Sequence, residues 1–149
     1  MIIPATQKLQ NPELLRTALH LPTEGMLAIT PNQLVYLDVD NNYIHQLFPL
    51  LEKKQINMPN YFGAKSAGAH ITVIYPEENT KINDQDLHQK HKFSVQNLIV
   101  ADIGAKKYYV LLVASPSLLQ LRRRYGLPDN LCFRGYSIGF HITIGVAQV

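Results

Sequence analysis

One cysteine, Cys132, stands in 149 residues, so the chain can form no internal disulfide and offers no Cys-x-x-Cys redox or zinc centre. Stability must come from packing. No apolar run approaches the roughly 18 residues of a membrane span, and no basic stretch leads into an apolar one at the N-terminus. The expected location is the cytoplasm. Charge is sparse too: 17% of residues are charged, the formal net charge is +3 and the sequence pI is ≈ 9.0. That balance favours anionic partners weakly, without the clustered basic residues of a nucleic-acid scaffold. "SAGAH" and "RGYSIG" contain glycine but lack phosphate-loop spacing. The histidines form no His-x-x-x-His pair and have no nearby cysteine, whereas zinc takes three or four ligands, so neither a metal nor a cofactor is expected.

The length suits one compact domain over residues 1–149 that buries roughly two-thirds of its unfolded surface, a monomer by default with no obligate protein partner. Asn11 as cap, Pro12 behind it and Leu14, Leu15, Ala18 and Leu19 on one face predict a short helix. "MLAIT" (26–30) and "QLVYLDV" (33–39) predict two strands that turn at Pro31-Asn32. Helical spacing of Ile44, Leu47, Phe48 and Leu51 predicts a helix with Lys53 and Lys54 near its end, kinked or restarted at Pro49. A loop over 59–69 delivers the chain to a strand from His70 to Tyr75, and residues 76–92 read as polar surface. Runs 93–101 and 108–114 predict a hairpin around "DIGAKK". Ser115 and Pro116 open a helix closed by Gly126, and a long loop over 127–139 leads to the last strand.

Two of these strands share a spelling: "GAHITVIY" at 68–75 and "GFHITIGV" at 139–146. Alternation puts His70 and Thr72 on one face with Ile71 and Val73 on the other; His141 and Thr143 repeat this against Ile142 and Ile144. A half-buried strand with a wet polar face accounts for one His-x-Thr but poorly for two. The 6 histidines and 7 threonines of the chain would give two such pairs by chance on the order of a few per cent of the time.

Paired imidazoles and hydroxyls suit phosphodiester cleavage. That reaction needs a base for the attacking hydroxyl or water, an acid for the leaving alkoxide, and donors for the charged non-bridging oxygens. An imidazole, with a pKa of about 6.5, can take either proton-transfer role near neutrality. Threonine hydroxyls facing the same way can donate to phosphoryl oxygens. "HITV" and "HITI", with Gly145 after the second, resemble the twin His-x-Thr/Ser-x motifs of the two-histidine (2H) phosphoesterases. "LVYLDVDNNYIHQLFPLL" is similar to that family's first strand and helix, and "YYVLLVASPSLLQLRRRYGLP" to the segment ahead of its second motif.

The resemblance covers most of residues 33–146. It implies an α/β (α+β) bilobal fold: two antiparallel-rich sheets, helices outside, and motif strands facing each other across a central groove. The lobes would be duplicated units at roughly 33–75 and 93–146. It also implies metal-independent action on 2′,3′-cyclic phosphates of RNA ends, 2′-5′ linkages or cyclic nucleotides, with His70 and His141 as acid-base pair and Thr72 and Thr143 as phosphate donors. The short chain is similar to compact bacterial and phage members, some of which degrade cyclic oligonucleotide signals.

Lys65, Arg134 and Tyr136 lie in loops entering the two motif strands and are candidates to reach the phosphate or stack a base. The Arg122-Arg123-Arg124 run reads as cations meeting a helix C-terminus. His20, His45, His88 and His91 have no threonine partner and read as surface or helix-end residues. Two other classes stay open: a module that binds a nucleotide or RNA end without turnover, and a structural protein that keeps only the fold.

Overall fold

The structure, a computed structural model, describes residues 2–52 and 55–148; Lys53 and Lys54, expected near the end of the second helix, lie outside the described residues. Asn11 caps the first helix by accepting the Leu14 N–H at 3.1 Å, and α1 runs Pro12–Ala18. β2 (Glu24–Ile29) and β3 (Val35–Asp38) pair antiparallel around Pro31-Asn32. The next helix is shorter than its apolar spacing suggests. α2 spans Asn42–His45, and the chain resumes as a 3-10 turn at Phe48–Leu50, because Pro49 has no N–H to continue an α-helical ladder. β4 (His70–Ile74) follows the loop.

The polar stretch 76–92 is not only surface. It contains 3-10 turns at Pro76–Glu78 and Asp84–Asp86, and ends in β5 (Lys90–Lys92), which pairs with β2. β6 (Ser94–Ile103) and β7 (Lys106–Ala114) form the expected hairpin, and Ser115 caps α3 (Pro116–Arg124). Residues 127–139 hold a second hairpin, β8 (Leu131–Phe133) and β9 (Tyr136–Ile138). Its tip is Arg134-Gly135 at φ 50° and 82°, the pair of positive values that lets a two-residue turn follow the strands' twist. β10 (His141–Gln148) ends the chain's regular structure, and β1 (Ala5–Lys8) pairs with β6.

The expectation of two sheets is corrected by the topology. One eight-stranded antiparallel sheet runs β1-β6-β7-β10-β4-β3-β2-β5, and the β8-β9 ribbon stands apart. The motif strands β10 and β4 are neighbours rather than opposed walls, because pairing removes two edges whose backbone groups would otherwise need other partners. Their junction is narrow. It has one register pair, Ile142↔Ile71, against four between β3 and β4 and seven between β10 and β7.

One face of the sheet carries the core. Ile71, Val73, Ile142 and Ile144 are 0% exposed and pack with Leu14, Leu47 and Leu118 from the helical side. α1 lies against β6, α2 against β10 and α3 against β4. Among the described residues no helix is long and apolar enough to cross a membrane.

The arginine run at the end of α3 does more than meet a helix dipole. Arg122 is 0% exposed and forms a two-pronged ion pair with Glu78, whose side chain is 4% exposed, at 3.0 and 2.7 Å. It also donates to the carbonyls of Val73, Pro128 and Asn130 at 2.9 Å each, so its charge is fully paired and hydrogen-bonded. Arg123 pairs with Asp129 and Arg124 with Asp86, both at the surface.

Candidate active site

On the sheet face away from the helices, the register of β4 and β10 sets the arrangement. With Ile71 opposite Ile142 in antiparallel strands, Thr143 stands across from His70 and His141 across from Thr72. The histidines occupy one diagonal and the threonines the other; such diagonal positions lie about 7–8 Å apart. All four side chains line one groove of ≈ 530 Å³, and both threonines are buried, 5% and 8% exposed.

Each imidazole is restrained in the same way. The Nδ1–H of His70 donates to the Gly68 carbonyl at 2.7 Å, and that of His141 to the Gly139 carbonyl at 2.8 Å. A carbonyl can only accept, so Nδ1 carries the proton and Nε2 keeps its lone pair in the neutral ring. Burial lowers the pKa of both. At His70 the Gly68 bond and the Asp38 carboxylate oppose the shift; at His141 the Gly139 bond opposes it, while His70 adds to it. That influence of His70 on His141 places the rings in one electrostatic site. Asp38 is the register partner of His70, and its own pKa is raised by burial and drawn back by His70.

Aromatic rings fix His70 laterally, Tyr61 edge-on at 4.8 Å and Tyr36 at 5.7 Å between centroids. Tyr61, Tyr75 and Tyr108 also line the groove. Apolar side chains of β6 and β7, among them Ile99, Ile103, Val110 and Leu112, form its floor on one side.

The structure treats the three loop candidates differently. Lys65 lines the groove from a left-handed backbone position, φ 65°. Arg134 and Tyr136 do not line it. The exposed Arg134 guanidinium lies 5.1 Å over Phe133 at the hairpin tip, and the Tyr136 hydroxyl accepts the Gly104 N–H at 3.3 Å. Phe133, Ser137 and Ile138 of the same hairpin reach the groove in their place. His20, His45 and His88 are exposed, and His91 bonds Ser117 at 2.8 Å; none lines the groove. Among the described residues no group of three His, Cys, Asp or Glu side chains gathers as metal ligands.

Sequence reasoning missed Asp38, Tyr61, Tyr75 and the glycine carbonyls. A signal existed for the carbonyls, since glycine precedes both histidines by two residues. Asp38 and Tyr61 reach the site through cross-strand register and loop folding, which leave no local mark.

No curated protein and no solved structure matches the chain. A family model, Swiss Army Knife, 2H phosphoesterase domain, matches residues 35–149, a span that takes in both histidine strands. The chain thus belongs to the 2H phosphoesterase superfamily, whose name denotes chemistry of the phosphodiesterase type.

Proposed function

We propose that the chain cleaves phosphodiesters without metal, by general acid-base catalysis between His70 and His141. The substrates would be RNA ends bearing a 2′,3′-cyclic phosphate, 2′-5′ linkages or cyclic mono- and oligonucleotides. The observation that carries this reading is the matched restraint of the two rings. Both are held through Nδ1 by a glycine carbonyl, which leaves Nε2 out of that bond, and both rings line a single groove with the two threonines.

In the forward step one neutral Nε2 takes the proton of the attacking water or hydroxyl while that oxygen bonds to phosphorus. The other ring, as imidazolium, gives its Nε2 proton to the departing alkoxide as the old P–O bond breaks. The rings thereby exchange protonation states, and a reverse or second step resets them. Thr72 and Thr143 donate to the non-bridging oxygens as their charge grows. The groove, ≈ 530 Å³, falls within the range of small-ligand sites, and its apolar floor suits the flat face of a base.

The test is turnover of a panel holding a 2′,3′-cyclic nucleotide, a 2′-5′ dinucleotide and a cyclic dinucleotide, with and without EDTA. Cleavage of at least one member, unchanged by EDTA, is expected. Binding without cleavage would leave a module that holds the phosphate, and strict dependence on added zinc or manganese would remove the metal-free mechanism.

A further inference from the structure

A diester entering this groove meets little positive charge. Lys65 is the one lysine and no arginine is found among the described residues that line it, and burial favours the neutral form of both imidazoles. The anion must be held largely by neutral donors. Two threonine hydroxyls are few for two charged oxygens, each able to accept several hydrogen bonds.

Two phenols stand where further donors are needed. Tyr75 immediately follows β4 and Tyr61 belongs to the loop before it; both line the groove. Tyr75 and Tyr61 line the groove together with Thr72 and Thr143, and Thr72 draws the Tyr75 pKa down against its burial as Thr143 does that of Tyr61, so each motif threonine has its own tyrosine neighbour. The Tyr43 and Tyr125 hydroxyls, by contrast, are held by fixed protein partners, the Pro22 carbonyl and Asp86.

Both tyrosines are tied to the backbone of the first motif. The Tyr75 N–H donates to Glu78 at 3.0 Å, and the Arg122 partner of that carboxylate grips the Val73 carbonyl two residues earlier. The Tyr61 carbonyl accepts the Gly68 N–H at 2.8 Å, and Gly68 is the residue whose own carbonyl holds His70. The Tyr61 backbone is thus tied to the residue that holds His70, and the Tyr75 backbone to the buried Arg122-Glu78 pair.

We propose that Tyr61 and Tyr75 are phosphate-binding residues, each phenol donating to a non-bridging oxygen of the bound diester beside the threonine with which it is paired. Four hydroxyls then serve two oxygens. Burial raises the pKa of both phenols, so they stay protonated donors across the whole range in which the histidines work. This proposal rests on the two-imidazole reading of the groove and extends it to how the anion is gripped.

Tyr61→Phe and Tyr75→Phe keep the ring and remove only the hydroxyl. Each is expected to lower kcat/KM about 10- to 100-fold and to weaken binding of inorganic phosphate, measured by calorimetry, with the melting temperature unchanged. Tyr61→Phe combined with Thr143→Ala should lose less than the product of the single losses, since both serve one oxygen. In ¹³C-tyrosine-labelled wild type, phosphate should shift the ring signals of both residues, which tests the contact without any variant. Unchanged kcat/KM and phosphate affinity in both Phe variants, with His70→Ala inactive, would overturn the phenols' role and leave the imidazoles standing. Wild type that cleaves no diester would instead remove the imidazole reading, and the phosphate titrations alone would then decide: weaker binding in the Phe variants supports the phenols, equal binding or none in the wild type overturns them.

Discussion

At β4, His70 faces Asp38 across the sheet and is braced by two tyrosine rings, while the strand's far end is gripped by the buried Arg122-Glu78 pair. At β10, His141 faces Leu112, and the strand draws its support from a seven-pair ladder with β7. The glycine two residues before each histidine serves both rings alike, yet its backbone differs. Gly68 sits at φ +69°, where an added Cβ would meet Asn41 Oδ1 at 2.6 Å, whereas Gly139 has nothing within 4 Å. One motif thus recurs in a polar, side-chain-anchored setting and in an apolar, ladder-anchored one. The same chemistry is presented by unlike means, and the two imidazoles are not electrostatically equivalent.

The largest test asks where the halves agree. His70→Ala and His141→Ala should each lower kcat about 10²–10⁴-fold in a protein that still melts cooperatively; full activity in either would show that the halves do not share the work. The next asks whether the first half depends on its anchor. Arg122→Leu leaves Glu78 buried without its partner and should cost about 3–5 kcal/mol in denaturant unfolding, whereas a surface pair such as Arg123-Asp129 should yield less than about 1 kcal/mol on Arg123→Ala.

A smaller effect separates the glycines. Gly68→Ala should destabilise by about 1–2 kcal/mol from its left-handed backbone alone, with more from the contact on Asn41, and Gly139→Ala should stay within about 0.5 kcal/mol. Equal costs at the two sites would erase this part of the contrast.

The smallest concerns charge. Asp38 favours protonated His70 and has no counterpart opposite His141, so His70 should charge first as the pH falls, and Asp38→Asn should lower the His70 pKa while leaving His141 near its wild-type value by NMR titration. On the proposed acid-base reading, the ring that charges more readily is suited to arrive as the acid, and the other to start as the base. Both folded pKa values lie below the unfolded value of about 6.5, so the unfolded chain takes up these protons first. Stability contributed by the neutral rings is therefore present above pH ~6.5 and lost as the pH falls from there through the depressed folded values. A melting temperature that rises on acidification through that window would contradict it.

Where one local rule dominates, the sequence reading agrees with the structure. Asn11-Pro12 and Ser115-Pro116 start helices, Pro31-Asn32 turns a hairpin, and Pro49 stops α-helical bonding. The duplicated motif was legible because a period of two needs no partner to be recognised. The missed features depend on partners. β5 is three polar residues that become a strand because β2 offers an edge. Arg134-Gly135 turns a hairpin without the usual Asn-Gly spelling, and Arg122 gives no sign from its neighbours that Glu78, 44 positions away, will bury it. Asp38, Tyr61 and Tyr75 become visible as site residues only once the register is known, which is also why one continuous sheet rather than two could not be read in advance.

The joint between the halves has a mechanical consequence. A four-pair ladder and a seven-pair ladder meet at the lone rung Ile71↔Ile142, beside His70 and His141, so a hinge between them would fall at that rung. A change of splay angle there would alter the gap between the two rings. On the proposed acid-base reading, the spacing of the two rings is therefore governed at one rung of the sheet.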